Sequence, residues 1–273
     1  MLRPVSTTVI YEQRDAVATI TLNRPERLNT MSEELMAQAL AAVERAASDD
    51  TVRVVILTGT GRGFCAGGDL GMLRERGQAV AAGESSVSRE TRVAQLRRSM
   101  RSSQLLNEMD KVTIAAINGA CAGAGFSWAC ACDLRFAAQG AKFNVAFRNA
   151  GLSGDFGGTW SLPRIVGPAK ARELYLMSPR FDAEEAARIG LVSKVLPDGE
   201  LMAHVHAVAA DIAGAAPIAL KLMKRNLLDS LRNSFSEQLD READRHITCT
   251  MTADHLEATS AYLQKRKPTF HGK

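Results

Sequence analysis

The chain has 273 residues, is 46% hydrophobic with only 5% aromatic side chains, and carries 34 basic against 30 acidic residues for a net charge of +4. That length supports one large core, or a core with an appended helical region, and Ala, Val, Ile and Leu must fill it. The near balance of charge argues against a nucleic-acid partner while suiting an anionic small molecule. Five cysteines (Cys65, Cys121, Cys130, Cys132, Cys249) form an odd set, four of them in apolar runs or beside Gly. They read as buried free thiols of a cytoplasmic protein. Cys130-x-Cys132 lacks the second pair a zinc site needs, so no metal is expected. No apolar run has the length of a membrane span, and the N-terminal residues lack a signal-peptide apolar region.

In chain order, Thr8–Gln13 and Ala16–Leu22 read as two strands joined by a tight turn. A helix is predicted from the N-cap Ser32 to about Ala47, with Leu35, Leu40 and Val43 on its inner face. Val52–Thr58 reads as a buried strand, followed by the Gly-rich GTGRGFCAGGDL. From Gly71 to Arg89 the pattern fails, which predicts a mobile loop or frayed helix over the site, able to deliver Glu75 or Glu84 to it. Thr91–Glu108 reads as one amphipathic helix bearing Arg92, Arg97, Arg98 and Arg101. A strand at Thr113–Ile117 leads through a second small-residue turn, GACAGAG, into a short helix at Gly123–Cys130. Leu134–Ala137 and the start of AKFNVAF are strand-like. Regularity is lost from Asn149 to Gly158, and a helix begins around Thr159. Helices at Pro168–Met177, Ala183–Ile189 and Leu201–Ala215 surround a strand at Val192–Val195. From Ala216 the chain is helical and polar on one face. The class is α/β, with a boundary near position 200 between a core (1–200) and a helical C-terminal region (201–273).

Two Gly-rich turns thus each follow an apolar strand, FCAGGD at Phe64–Asp69 and GACAGAG at Gly119–Gly125. Neither is a dinucleotide or P-loop signature. A peptide N–H from each, one at a helix N-terminus, could hold a carbonyl oxygen that becomes an enolate; taken alone, the second turn is equally a packing device.

With these residues in view, the chain resembles the crotonase, or enoyl-CoA hydratase/isomerase, family over nearly its full length. The resemblance rests on ITLNRPERLNTMS (Ile20–Ser32), VVILTGTGRGFCAGGDL (Val54–Leu70), AAINGACAGAGFSWACACDLRFA (Ala115–Ala137), GGTWSLPRIVG (Gly157–Gly167) and AYLQKRKPTF (Ala261–Phe270). It implies a spiral of ββα turns with a helical C-terminal trimerisation region, a homotrimer or a homohexamer built as a dimer of trimers, and an acyl-CoA thioester substrate. Coenzyme A then belongs to the substrate and no separate cofactor is implied. By motif position the oxyanion hole falls on the N–H groups of Gly68 and Ala124. Arg27 and Leu28 match the turn along the nucleotide, Asp69 and Leu70 the segment near the pantetheine, and Tyr262 and Lys265 positions that reach the nucleotide of a neighbouring subunit.

The chain departs from the family's hydratases at both of their glutamates, where Ser127 and Phe147 stand. Asp155 falls where some isomerases and dehalogenases of the family carry a working Asp, and GLSGDFGGTWSLPR is similar to its ring-1,2-epoxyphenylacetyl-CoA and Δ3,Δ2-enoyl-CoA isomerases. Adding water across a double bond is well served by two carboxyls; moving a double bond needs one base that takes a proton and returns it elsewhere. The resemblance therefore implies an acyl-CoA isomerase, with Asp155 as acid/base and with Phe147 and Trp160 drying the pocket. The alternatives are a 2-enoyl-CoA hydratase without the glutamate pair, and a non-catalytic acyl-CoA or RNA binder using the arginine face. Dehalogenation is disfavoured because every His lies beyond position 203 and Phe147 takes the place of a pocket Trp. An Asp between glycines before a helix is otherwise an N-cap or Asx-turn residue.

Overall fold

A computed structural model describes residues 7–83 and 87–273. Val9–Arg14 (β1) and Val17–Leu22 (β2) form the expected antiparallel hairpin, its turn placing Asp15 at φ +50°. Ser32 caps Glu33–Ser48 (α1) by accepting from the Leu35 N–H at 3.2 Å, and the helix buries Leu35, Ala39, Ala42, Val43 and Ala46. Three strand pairs follow: Val54–Gly59 (β3) with Gly63–Cys65 (β4), Val112–Ile117 (β5) with Ala120–Ala122 (β6), and Leu134–Ala138 (β7) with Lys142–Asn144 (β8). With Phe181–Asp182 (β9) and Lys194–Leu196 (β10), these build two sheets among the described residues. The first strand of each pair joins a six-stranded sheet ordered β1-β2-β3-β5-β7-β10, parallel from β2 onward. The second joins a four-stranded sheet ordered β4-β6-β8-β9, antiparallel only at β9. Each turn of the chain therefore adds one strand to each sheet, the repeated ββα spiral. In the larger sheet β3 and β5 are buried on both faces, which is why they read as continuous apolar runs rather than alternating ones.

The helices are Leu70–Ala81 (α2), Arg89–Ser99 (α3), Arg101–Glu108 (α4), Gly123–Ala131 (α5), Gly158–Val166 (α6), Pro168–Met177 (α7), Ala183–Arg188 (α8), Leu201–Ala213 (α9), Pro217–Asp229 (α10), Phe235–Thr250 (α11) and Ala253–Leu263 (α12). Several depart from the sequence reading. The segment from Gly71, expected as a mobile loop or frayed helix, is helical to Ala81: Asp69 accepts from the N–H groups of Gly71 and Met72, and no residue of α2 is buried, so no apolar period could announce a regular helix. Glu75 is exposed on that helix, and Glu84 lies outside the described residues. The single helix expected over Thr91–Glu108 is two, α3 and α4, divided at Met100. The first buries nothing, while the second buries Ser102, Ser103 and Leu106, with the Ser103 hydroxyl donating to the Phe156 carbonyl at 2.5 Å. The strand expected at Val192–Val195 lies two residues later, because Leu191 and Val192 turn into the core.

Helix α9 follows the boundary expected at position 200, yet Leu201, Val205, Ala209 and Ala213 pack on Val54, Ile56, Ile114 and Phe136 and close the second face of the large sheet. Full burial of a Leu or Val side chain here contributes about 1.5–3 kcal/mol, and of an Ala methyl about 0.8. Helix α10 is tied to the core by Lys224, whose Nζ donates to Asp133 Oδ2 at 2.7 Å and to the Lys111 carbonyl at 2.9 Å. Leu227 on this helix, and Phe235, Met251, Leu256 and Leu263 beyond it, are left exposed. Among the described residues no single helix is long and apolar enough to cross a membrane.

One buried polar side chain sets the geometry of the first Gly-rich turn. Asn29 is fully buried at φ +56°, accepts from the Arg24 N–H at 2.7 Å, and donates to the carbonyls of Thr60 and Gly63 at 3.0 and 2.7 Å. Asn29→Ala strands the Arg24 N–H and the Thr60 carbonyl, leaves the Gly63 carbonyl only its 3.2 Å bond from Asn118 Nδ2, and places a Cβ without compensation in the left-handed region. The expected loss is about 2–4 kcal/mol, read as a lower urea midpoint at unchanged m-value; a midpoint equal to wild type refutes it.

Candidate active site

The ends of β4 and β6 lie side by side because their strands pair, so the two Gly-rich turns meet. Gly67 sits at φ +92°, and a Cβ there would lie 2.9 Å from the Ala122 carbonyl and 3.5 Å from the Ala124 nitrogen. Gly125 presses its α-carbon onto Cys65, where any side chain would overlap the carbonyl and thiol. The Met31 N–H donates to the Gly67 carbonyl at 2.8 Å, and the Asp69 N–H donates to the Met31 carbonyl at 3.4 Å. These bonds flank Gly68, so strand alternation turns its own N–H to the opposite edge. Ala124 is the second residue of α5, has no carbonyl four residues back within the helix, and lies at the positive end of the helix dipole. The pairing of β4 with β6 thus brings the main-chain N–H groups of Gly68 and Ala124 onto neighbouring turns.

Asp155 stands before α6. The cap position of that helix is Gly157, and no side chain caps it, so Asp155 is not spent as an N-cap. Its Oδ1 is buried and has no hydrogen-bond partner in the protein. Burial pushes its carboxyl up to about 6, since the charged form is poorly solvated there. Its charge is felt by the Cys65 thiol, itself pushed up to about 12 by burial, and by the Tyr175 phenol. Asp155 therefore lies within electrostatic reach of the floor of the two turns.

Ser127 and Phe147 are both buried. The Ser127 hydroxyl donates to the Gly123 carbonyl at 3.4 Å, one turn back on α5. The Phe147 ring stacks on Tyr175 at 6.1 Å between centroids and 4° between planes. Trp160 does not join that wall. It carries the Arg164 guanidinium 4.1 Å over its ring and lines a cavity of about 340 Å3 with Arg97, Met100, Gln104, Phe156 and Arg232, a set that contains neither Asp155 nor Phe147. Arg27 is exposed on a 3-10 turn, Pro25–Arg27, that flanks a groove of about 930 Å3, and the Leu28 carbonyl accepts from the Ala66 N–H at 3.0 Å. Asp69 is engaged in capping α2 and lies 3.7 Å from the Arg24 guanidinium, while Leu70 is exposed. Tyr262 in the last turn of α12 and Lys265 just beyond it are exposed, far from the turns in sequence. Tyr175 was not a sequence candidate: α7 shows only an ordinary helical pattern, and the topology alone brings this ring to Phe147.

A family model for enoyl-CoA hydratase/isomerase matches residues 12–273. The 1,2-epoxyphenylacetyl-CoA isomerase of Escherichia coli is 39% identical over 265 residues, covering 97% of this chain and 98% of that protein. The crotonyl-CoA hydratase of Syntrophomonas wolfei is 32% identical over 266 residues, covering 97% and 98%. The crystal structure of an enoyl-CoA hydratase from Polaromonas superposes with a TM-score of 0.88 at 31% identity, over 96% of this chain and 99% of that one.

Proposed function

This chain belongs to the enoyl-CoA hydratase/isomerase family, and on that premise we propose that it is an acyl-CoA isomerase working through one carboxylate. The observation that carries the reading is the buried, unpartnered Oδ1 of Asp155 beside two Gly-rich turns, with Ser127 and Phe147 where hydratases of the family place glutamates. The thioester carbonyl rests on the N–H groups of Gly68 and Ala124. Asp155 removes a proton from a carbon of the acyl chain, the electron pair delocalises into an enolate whose oxygen these donors hold, and the same carboxyl returns the proton to a different carbon. A carboxyl raised to about 6 is a stronger base than an ordinary one and is still ionised at neutral pH. The coenzyme A nucleotide runs along the turn of Arg27 and Leu28 and the pantetheine past Asp69 and Leu70. The exposed apolar residues of α10–α12 are covered by copies of the chain in a homotrimer or hexamer, which lets Tyr262 and Lys265 reach a neighbour's nucleotide.

Hydration is the second reading, favoured by the crotonyl-CoA hydratase relative. Two substrates separate them. A 3-enoyl-CoA is expected to give the conjugated 2-enoyl-CoA, seen as rising ultraviolet absorbance, whereas 2-enoyl-CoA is expected to persist in water with the enzyme. Fast conversion of 2-enoyl-CoA to 3-hydroxyacyl-CoA would decide for the hydratase.

A further inference from the structure

Helix α4 presents serine to the core where an apolar residue would pack more simply. Ser102 and Ser103 are buried beside Leu106, and a hydroxyl taken out of water must find a partner. Both find one around the segment that carries Asp155. The Ser103 hydroxyl donates to the Phe156 carbonyl at 2.5 Å, a bond between buried groups 53 residues apart in the chain. Ser102 accepts from the Trp128 indole N–H at 3.1 Å and gives its own hydrogen to the Ser99 carbonyl at 2.9 Å. The indole so fixed meets the Phe156 ring edge to face, 5.7 Å between centroids and 83° between planes. Residue 156 is thus held by its carbonyl and by its ring, and α4 stands behind both contacts.

The backbone there needs holding. Gly154, Phe156 and Gly157 lie at φ +113°, +48° and +79°. The left-handed form is unfavourable for a bulky residue such as Phe, and it persists only where the surroundings enforce it. The glycines on either side leave the chain many other paths. A relaxed Phe156 would turn its peptide planes and carry the neighbouring Asp155 with them. Resting on the assignment of Asp155 as the base, we propose that Ser103 is a positioning residue for it: the hydroxyl pins the Phe156 carbonyl, holds the turn in its left-handed form, and so keeps the Asp155 carboxyl in its buried place. A hydroxyl that only satisfied a buried carbonyl would matter to stability alone. A positioning hydroxyl matters also to the rate and to the titration of the carboxyl.

The titratable groups that sense Asp155 are Cys65 on β4 and Tyr175 on α7; burial raises both, so both stay neutral while the carboxyl titrates near pH about 6. A shift in that titration therefore reports the surroundings of the carboxyl itself. In the full chain, Ser103→Ala is expected to lower kcat on 3-enoyl-CoA about 10–100-fold with KM within about twofold, the effect of a displaced base. The inflection of kcat/KM should move down by about one pH unit, as the freed carboxyl meets water. Ser103→Thr returns the hydroxyl and should return both quantities toward wild type. Ser103→Cys keeps the bulk with a weak donor and should fall between, which serves if the Ala variant does not fold. Leu106→Ala, one turn on, lowers stability alone: it should melt earlier with kcat and inflection unchanged. A folded Ser103→Ala enzyme with wild-type kcat and inflection overturns the proposal, and so does an equal shift in Leu106→Ala. The infrared carbonyl band of protonated Asp155, assigned by its loss in Asp155→Asn, follows the carboxyl whether or not it is the base. If Asp155→Asn turns over like wild type, the isomerase reading falls. If Asp155→Asn is inactive while Ser103→Ala matches wild type in kcat and in this band, the positioning role alone falls.

Discussion

Asp155→Asn is expected to lower the rate of double-bond transfer by about 10²–10⁴-fold, the usual worth of a general acid–base, and to leave acyl-CoA binding little changed. Asn keeps the shape and cannot take a proton. In wild type the active form is the carboxylate, so kcat/KM should climb through pH about 6 and level above it, following the burial-raised carboxyl. Stability carries the opposite sign. The unfolded chain releases this proton near the ordinary 3.8 and the folded chain near 6, so between these values the folded state binds more protons and stability falls as pH rises. The cost of the buried charge is complete above about pH 6 and is on the order of 3 kcal/mol at most. Asp155→Asn should therefore melt higher than wild type at pH 8, with the gap closing toward pH 4. Wild-type turnover in the variant, measured by ultraviolet absorbance, would remove Asp155 from the mechanism. A melting difference that does not shrink on acidification would remove the desolvated-carboxylate account.

Ala124→Pro should cost about 10²–10³ in kcat, the effect of deleting one donor to a developing oxyanion. Side-chain substitutions leave a peptide N–H in place, and Pro removes it. The first turn of a helix tolerates that loss, because its N–H groups have no helical partner. Ala124→Gly, which keeps the N–H, is the companion variant and should remain within a small factor of wild type. Circular dichroism and melting temperature establish that α5 still forms. A folded Ala124→Pro enzyme with normal kcat would place the acyl oxygen elsewhere.

The parts of the fold legible in the sequence were those with a one-sided or continuous apolar pattern. The β1–β2 hairpin, α1 with its Ser32 cap, and β3 and β5 fall where the residues put them. Of the smaller sheet only β8 was read, at the start of AKFNVAF; β4 and β6 are three residues each, written largely in the Gly, Ala and Cys that also write turns. Helix α2 could be read only as a loop or frayed helix for lack of a buried face, and the division at Met100 was missed because α3 and α4 together keep a plausible helical spacing. In the site, Gly68, Ala124 and Asp155 stood out by motif. Phe147 and Trp160 were expected to dry one pocket, whereas Trp160 lines a cavity that does not include Phe147, since nothing in a linear pattern says which way α6 turns its indole. Tyr175 carried no signal, as its partners lie 17 to 48 residues back along the chain (Gly158 and Ser127) and only the closing of the spiral joins them.

The crowding of Ser127, Gly158 and Tyr175 also bears on how such a protein could change its reaction. Placing a glutamate at position 127 grows a longer side chain into ground already held by the phenol, and the glycine opposite has nothing to give. The step toward two-carboxylate chemistry is thus uphill while Tyr175 stands, and becomes open once position 175 has become smaller. The two positions form an ordered pair, in which the effect of one substitution depends on whether the other has gone first. Along any favourable route between the two arrangements, substitution at 175 therefore comes before substitution at 127.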